Sequence, residues 1–170
     1  MTTVTEEPRG LGGWLILPAI GLFILPIRLF FSLNNDFLPI FQQGYWEILT
    51  TPGSEAYHEL WAPLIIFEVI GNIFFVIFDI ILIFLFFVKS FRFPVLYIVF
   101  LALNLTFVAA DLFFANSIPA VAAQNDAESV MQIVRSIIGA IIWIPYFLVS
   151  VRVKNTFVKR EPDNLLQPAA

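Results

Sequence analysis

The chain has 170 residues, of which 59% are hydrophobic and 13% charged, with 20 phenylalanines and a mean hydropathy of +0.88. This composition is too apolar for a soluble domain, so it predicts an integral membrane protein. A net charge of −4 argues against nucleic acid as a partner, and the absence of cysteine excludes disulfides, thiolate metal sites and cysteine nucleophiles.

Four stretches are apolar and long enough to cross about 30 Å of hydrocarbon, which takes roughly 20 helical residues. They lie at residues 14–33, 61–88, 94–115 and 129–150. The first carries internal prolines and has no small-residue cleavage site, so we expect it to remain as a span rather than to be removed as a signal peptide. The predicted fold is an all-α, four-transmembrane-helix bundle, with one domain over residues 1–160 and a flexible cytoplasmic tail at 161–170.

The connection between the first two spans is the longest loop and is unusually apolar. Eight large apolar residues lie between Phe37 and Leu49. We expect this segment to form short helices that lie flat on the outer end of the bundle, with their apolar side chains buried.

Farther along, Glu55, His58 and Glu59 have a nominal metal spacing, but a single histidine with two carboxylates is more typical of a solvated helix start. We therefore predict no metal site and no cofactor.

The basic residues predict the orientation of the spans. One arginine precedes the first span, basic residues fill the loop between spans two and three, and more follow the fourth span, whereas the other two loops carry acidic residues. The basic positions are Arg9, Lys89, Arg92, Arg152, Lys154, Lys159 and Arg160. Because such residues are retained on the cytoplasmic side, both termini of the multi-pass chain are predicted to be cytoplasmic.

Polar side chains inside the spans are the main lead to function. They are Arg28, Glu68, Asn72, Asp79, Asn104, Asp111 and Arg135. Helical phase places those of the second span on one face and those of the third on another, and charged faces are expected to turn inward. Counted from the cytoplasmic edge at 1.5 Å per residue, Asp79 and Asn104 lie about 13 to 15 Å up and the other five about 21 to 30 Å up.

The matched depths suggest a charge layer. Arg28 and Arg135 are predicted to pair, in some combination, with Glu68 and Asp111, with both carboxylates ionised. Asp79 has no basic residue at its depth, and a hydrogen bond to Asn104 is its simplest structural state. Two interpretations remain open: these groups only specify the register of the bundle, or they line a pathway for a proton or a small solute.

Two motifs at the cytoplasmic boundary resemble a known family. The first is "GLGGWLILPAIGL", containing Gly12, Gly13 and Trp14, and the second is "IWIPYFLVSVRVKNTFV", containing Trp143, Pro145, Tyr146 and Arg152. Together with the span pattern from about Gly10 to Val158, they resemble the bacterial inner-membrane family DUF2569, a domain of unknown function. The resemblance implies four spans in a cytoplasmic membrane and no assigned activity. The glycines are expected to let the start of span one approach the exit of span four.

The sequence leaves two functional hypotheses. The first is a non-enzymatic membrane module that acts through contacts with the lipid bilayer, with another membrane protein or with a second copy of itself. The alternative is a small transporter that conducts a solute or protons along the intramembrane charged residues. We favour the first, because no nucleophile, phosphate-binding loop or metalloprotease motif is found and no catalytic residue is predicted.

Overall fold

The computed structural model describes residues 8–124 and 127–159. All regular secondary structure in these residues is helical. Four helical segments are long and apolar enough to cross a membrane: Gly13–Gln42, Trp61–Phe87, Phe93–Ala115 and Ala127–Val149. The predicted four spans are therefore confirmed, and the last three begin and end within two residues of the predicted bounds. The first runs nine residues farther than predicted, which matters for the depth of its arginine.

The long first segment is built from several turns of different kinds. A 3₁₀ turn at Gly13–Leu15 leads into α1 (Ile16–Ser32), and a π-helical turn at Leu33–Phe37 joins α1 to α2 (Leu38–Gln42). Gly44 then adopts a φ of 76°, a conformation that glycine takes without strain, and the chain turns into α3 (Tyr45–Thr50).

Five further helices follow along the described chain. They are α4 (Trp61–Phe87), α5 (Phe93–Ala115), α6 (Pro119–Ala122), α7 (Ala127–Val149) and α8 (Val151–Thr156). Pro94 and Pro119 lie in the first turns of α5 and α6, where the missing N–H leaves no hydrogen bond unmade. The predicted tail at 161–170 lies outside the described residues.

The four long helices pack mainly as neighbours in chain order. α1 packs on α4, α4 on α5, and α5 on α7, so α1 and α7 form the two edges of the series. We call the end of the bundle that carries residues 8–15 and α8 the near end, and the opposite end, which carries α2, α3 and α6, the far end.

Aromatic side chains fill the half of the bundle next to the near end. Phe93 is fully buried, and its ring lies 4.8 Å from that of Phe157, 5.2 Å from that of Phe86 and 5.7 Å from that of Phe147, measured between centroids. These rings come from four different parts of the chain. Because lipid is as apolar as phenylalanine, close packing of the rings, more than escape from water, holds this half together.

Gly71 allows the closest approach of α4 to α5. A Cβ added at Gly71 would overlap the ring of Phe107, which stacks on Phe67 at 4.6 Å and meets Phe75 edge-on at 5.3 Å. Small residues have this role at many helix interfaces in membranes, since they let two backbones come together. The position therefore requires glycine for packing and not for a special backbone angle.

The prediction that the apolar loop is buried against the bundle is wrong for four of its eight large apolar residues. Phe37 is buried, but Leu38, Phe41, Tyr45 and Ile48 are 41 to 51% exposed. The physical reason is that α3 and the π-helical turn contact α4 on one side only, which leaves the opposite side of these short helices free. Aromatic and aliphatic side chains on such a side suit the membrane–water interface.

Candidate functional site

The two motifs at the near end meet in the structure. Thr156 Oγ1 accepts a hydrogen bond from the Gly10 amide at 2.8 Å, and its hydroxyl donates one to the Gly10 carbonyl oxygen at 3.2 Å. Arg152 Nη1 donates to the Arg9 carbonyl oxygen at 3.3 Å. These contacts join residues about 145 positions apart, so they close the near end of the bundle between its first and last described segments.

Gly13 makes room for the Arg152 side chain. Its φ is +63°, and an added Cβ would lie 3.2 Å from Arg152 Cζ. A Cβ at Gly12 would lie 3.8 Å from Arg152 Nη1. The geometry explains a pair of glycines opposite an arginine, since a side chain at Gly13 would be strained and would also crowd the guanidinium group.

The other members of these motifs have structural positions. Trp143 meets Tyr146 edge-on at 5.7 Å, and both pack against the aromatic core, whereas Trp14 is 68% exposed at the near end. Pro145 lies inside α7. Ser150 ends that helix with an extended backbone, and its side chain accepts from the Val153 amide, which caps α8 and directs Arg152 towards Gly13.

The in-span acids and asparagines face the interior, as expected from helical phase. On α4, Asp79 is fully buried while Glu68 and Asn72 are half-buried; on α5, Asn104 and Asp111 are half-buried. These polar residues lie on the same faces of α4 and α5 as the aromatic core residues, but closer to the far end. The interior therefore changes along its length from aromatic at the near end to partly polar towards the far end.

Glu68 and Asp111 are brought into contact across the interface of α4 and α5. Their carboxyl groups are close enough to interact, and the buried Asp111 Oδ1 has no hydrogen-bond partner. Two carboxyl groups this close cannot supply each other with an opposite charge. The prediction that each acid faces an arginine does not describe this structure.

Asp79 occupies an apolar position. It follows Phe75 and precedes Leu82 and Phe86 on the core stripe of α4, with no exposed surface and no hydrogen-bond partner for either carboxyl oxygen. The predicted hydrogen bond to Asn104 is wrong, because Asn104 Oδ1 instead accepts from the Ser136 hydroxyl of α7 at 3.2 Å. That bond links α5 to α7.

Neither in-span arginine pairs with an acid in the described part of the chain. Arg28 on α1 and Arg135 on α7 are both exposed, and no ion pair joins either of them to Glu68 or Asp111, so the predicted charge layer is wrong. The sequence-based depths treated all spans as starting at a common level, and the structure shows that they do not.

The observed register explains the error. Asp36, in the π-helical turn, is close enough to Glu68 to interact with it electrostatically, and Arg28 lies eight residues earlier, or about 12 Å along the helix. On the other side, the bond between Ser136 and Asn104 sets the level of α7 against α5. Asp111 lies seven residues beyond Asn104, which puts it about 10 Å from the level of Arg135.

Several residues of this region had no signal in the sequence. The sequence places Asp36 in a loop, Ser136 lacks a charge, and Thr156 follows the last predicted span.

The segment with Glu55, His58 and Glu59 forms no metal site among the described residues. His58 Nδ1 instead accepts a hydrogen bond from the Leu60 amide at 3.2 Å.

Two depressions in the described surface lie away from the charged groups. One, of about 250 Å³, is lined by Leu60, Pro63, Leu64, Phe67 and Phe114, and the other lies along the far half of α5, between Ala109 and Ser117. Neither is lined by an in-span arginine or carboxylate.

The chain has four helices that are long and apolar enough to cross a membrane, and its first and last described segments meet at the same end of the bundle. These features define a multi-pass helical membrane protein. The family model described as protein of unknown function (DUF2569) matches residues 8–158, and the chain belongs to this family. The resemblance seen in the sequence is confirmed. No curated protein and no solved structure matches the chain.

Proposed function

We propose that this protein is a non-enzymatic module of the bacterial inner membrane that acts through contacts with lipid or with another membrane protein. The observation that carries the proposal is the position of Arg28 and Arg135, which lie within spans, are exposed and have no acidic partner in the described chain. An arginine inside a span nearly always faces a polar environment, because exposure to hydrocarbon costs several kcal/mol. A contact from outside the chain supplies that environment.

The alternative, a pathway for protons or a small solute, has one observation in its favour. Asp79 is buried in a span with two unpartnered oxygens. However, the interior beyond Asp79 towards the near end is occupied by Leu82 and Phe86 and by the aromatic cluster around Phe93. Apart from the hydroxyl groups of Tyr97 and Tyr146, a conducted ion would meet only apolar side chains in this cluster, which supports contact at the outer faces over conduction through the middle.

The contact function predicts face-dependent crosslinking in membranes. A photoreactive amino acid at Ile24, one turn from Arg28, should give discrete adducts with a protein or a retained lipid. The same amino acid at Phe30, which is also exposed but points about 160° away from Arg28 on α1, should give only diffuse lipid labelling. Gel mobility and mass spectrometry of the adducts measure the difference. Equal and diffuse labelling at both positions would contradict a specific contact at this face.

The proposed orientation places both termini and the Val88–Arg92 loop in the cytoplasm. Cysteines introduced at Glu47 and Asp126 should react with a membrane-impermeant maleimide added from the periplasm, whereas cysteines at Ser90 and Asn164 should react only after the membrane is permeabilised. The reason is the retention of Lys89, Arg92 and the basic residues after α7 on the cytoplasmic side. Labelling of Ser90 from outside intact cells would reverse the orientation.

A further inference from the structure

The near end of the bundle concentrates the positive charge of the described chain. Each of the four spans has one end here, so this surface lies at a membrane boundary. Of the eight basic residues that the structure describes, only Arg28 and Arg135 lie elsewhere, and the described acids all lie within spans or at the far end. We call the other six the cationic surface: Arg9, Lys89, Arg92, Arg152, Lys154 and Lys159.

Packing around α8 gathers these charges. The Phe157 ring lies 4.8 Å from that of Phe93 and 5.9 Å from that of Phe86, measured between centroids, and the neighbouring Thr156 is bonded to Gly10. The end of α8 therefore contacts both the start of the first span and the helix ends that flank the loop between α4 and α5. The segments that meet carry Arg9, Lys89, Arg92, Lys154 and Lys159. Because like charges repel, an anion bound among them is favoured.

Arg152 has unused hydrogen-bonding capacity at this surface. Its guanidinium group is half-buried beside Gly13 and donates one hydrogen bond, from Nη1 to the Arg9 carbonyl oxygen. A guanidinium group has five N–H donors, and the other four have no partner in the described chain. A fork of N–H groups held in one place suits the oxygens of a phosphate group, which it binds through two parallel hydrogen bonds.

The terminal segments do not cancel this charge. Outside the described residues, the sequence next to the near end adds the cation Arg160 and the acids Glu6, Glu7, Glu161 and Asp163. Seven basic residues thus stand against four acidic ones. A surplus of positive charge remains for a ligand from outside the chain.

Apolar side chains beside the cations distinguish a lipid from a water-soluble anion. Trp14, Phe91, Val151 and Val158 are all exposed at the near end, and the Phe91 ring lies 5.6 Å from the guanidinium carbon of Arg92. A dissolved phosphate would leave these side chains in water. A phospholipid covers them with the upper part of its acyl chains while its phosphate group reaches the cations, which is the usual arrangement at a membrane interface.

We propose that the cationic surface binds the headgroup of an anionic phospholipid, such as phosphatidylglycerol, in preference to a zwitterionic one, with Arg152 as a ligand of the phosphate group. This inference rests on the proposed contact function and names anionic lipid as a partner, at residues other than Arg28 and Arg135. Retention of basic residues on the cytoplasmic side explains orientation during insertion, but it predicts no selective lipid in the assembled protein.

The test uses the quenching of Trp14 fluorescence by phospholipids that carry bromine in the acyl chain. Trp14 follows Gly13 and therefore reports on lipid near Arg152. The full chain, with Trp14 as its only tryptophan, is reconstituted in phosphatidylcholine vesicles that contain brominated phosphatidylglycerol or the same fraction of brominated phosphatidylcholine. We expect phosphatidylglycerol to associate at least about fivefold more strongly, since each basic residue near an anionic lipid contributes about this factor.

A chain with Trp46 as its only tryptophan is the positional control. Trp46 is half-buried in α3 at the far end, where the described charges are acidic. Its fluorescence should show no preference for phosphatidylglycerol. Raising the concentration of sodium chloride should weaken the preference at Trp14, because salt screens exposed charges.

Variants in the Trp14 chain assign the contact. Arg152→Gln should lower the preference for phosphatidylglycerol about fivefold, whereas Arg152→Lys keeps the charge and should retain most of it. Lys154→Gln combined with Lys159→Gln should also lower it, and both lysines are exposed, so their loss leaves the packing intact. Glu47→Gln, an exposed position in α3, changes the net charge by one unit at the far end and should have no effect. Thermal unfolding in detergent verifies that each variant is folded.

Several results would overturn the proposal. These are equal quenching of Trp14 by the two brominated lipids, an equal preference at Trp46, and a preference that survives both Arg152→Gln and the double lysine variant. Loss of the preference on addition of soluble glycerol phosphate at constant ionic strength would indicate a site for a free anion instead. Discrete crosslinking adducts at Ile24 together with equal quenching at Trp14 would keep the contact function and reject anionic lipid at the near end.

Discussion

Phe93→Ala should destabilise the bundle by about 3 kcal/mol. Phe93 has no exposed surface, and its ring packs against those of Phe86, Phe147 and Phe157. Truncation leaves a cavity among rings from four parts of the chain. The expected loss lies at the low end of the range for burying a phenylalanine, because an unfolded chain in detergent or lipid already keeps its apolar groups from water and only the packing is lost.

The measurement is reversible unfolding in mixed micelles, followed by tryptophan fluorescence. Phe113→Ala is the matched control, since Phe113 is on the same helix and 70% exposed, and its loss should change the free energy of unfolding by less than about 0.5 kcal/mol. Similar effects of the two substitutions would mean that the aromatic cluster does not hold the near end together.

Asp79→Val should stabilise the bundle by about 1 to 3 kcal/mol. The carboxyl group of Asp79 is buried, and both oxygens lack a hydrogen-bond partner. An unsatisfied buried polar group costs about this much, and an apolar side chain of similar volume removes the cost. The same unfolding measurement applies.

Asp79→Asn is the control for Asp79→Val, because it keeps two polar atoms and the shape of the side chain while removing the carboxyl group. We expect it to recover less stability than valine does. If Asp79→Val is clearly less stable than the natural chain, Asp79 has a partner in the membrane that the interior packing does not supply, and the pathway alternative gains support.

The spans were predictable because hydropathy is summed over many residues. The three segments from Trp61 to Val149 end within two residues of their predicted bounds, since each is delimited by charges or by a proline in its first turn. The end of the first span was missed because the polar run Ser32 to Asp36 reads as a loop, whereas in the structure a π-helical turn carries the helix through it.

The orientation of the acids was also predictable, and that of the arginines was not. Glu68, Asp79 and Asp111 share helical faces with large apolar residues that form the core, so phase alone turned them inward. Arg28 and Arg135 lie on faces whose other residues are equally apolar, and an apolar face is compatible with both the core and lipid. In water the two sides of a helix differ in polarity; in a membrane they differ little.

The pairing of the in-span charges could not be predicted from depths counted along each helix. A depth counted from the end of each span takes all helices to start at one level, but a shift of two turns moves a side chain by about 11 Å, enough to break any ion pair. The packing of the π-helical turn on α4, and the bond of Ser136 to Asn104, are long-range contacts that set the register. None of them leaves a periodic signal in the sequence.

The sequence by itself determined that this is a four-span helical membrane protein of the DUF2569 family, because apolar length, positive charge and two end motifs are properties of local residues. Only the tertiary structure decided which charges meet. It placed Glu68 close to Asp111, buried Asp79 among apolar side chains, and left Arg28 exposed, since the relative shift and rotation of packed helices arise from side-chain fit between distant segments, such as Gly71 against Phe107.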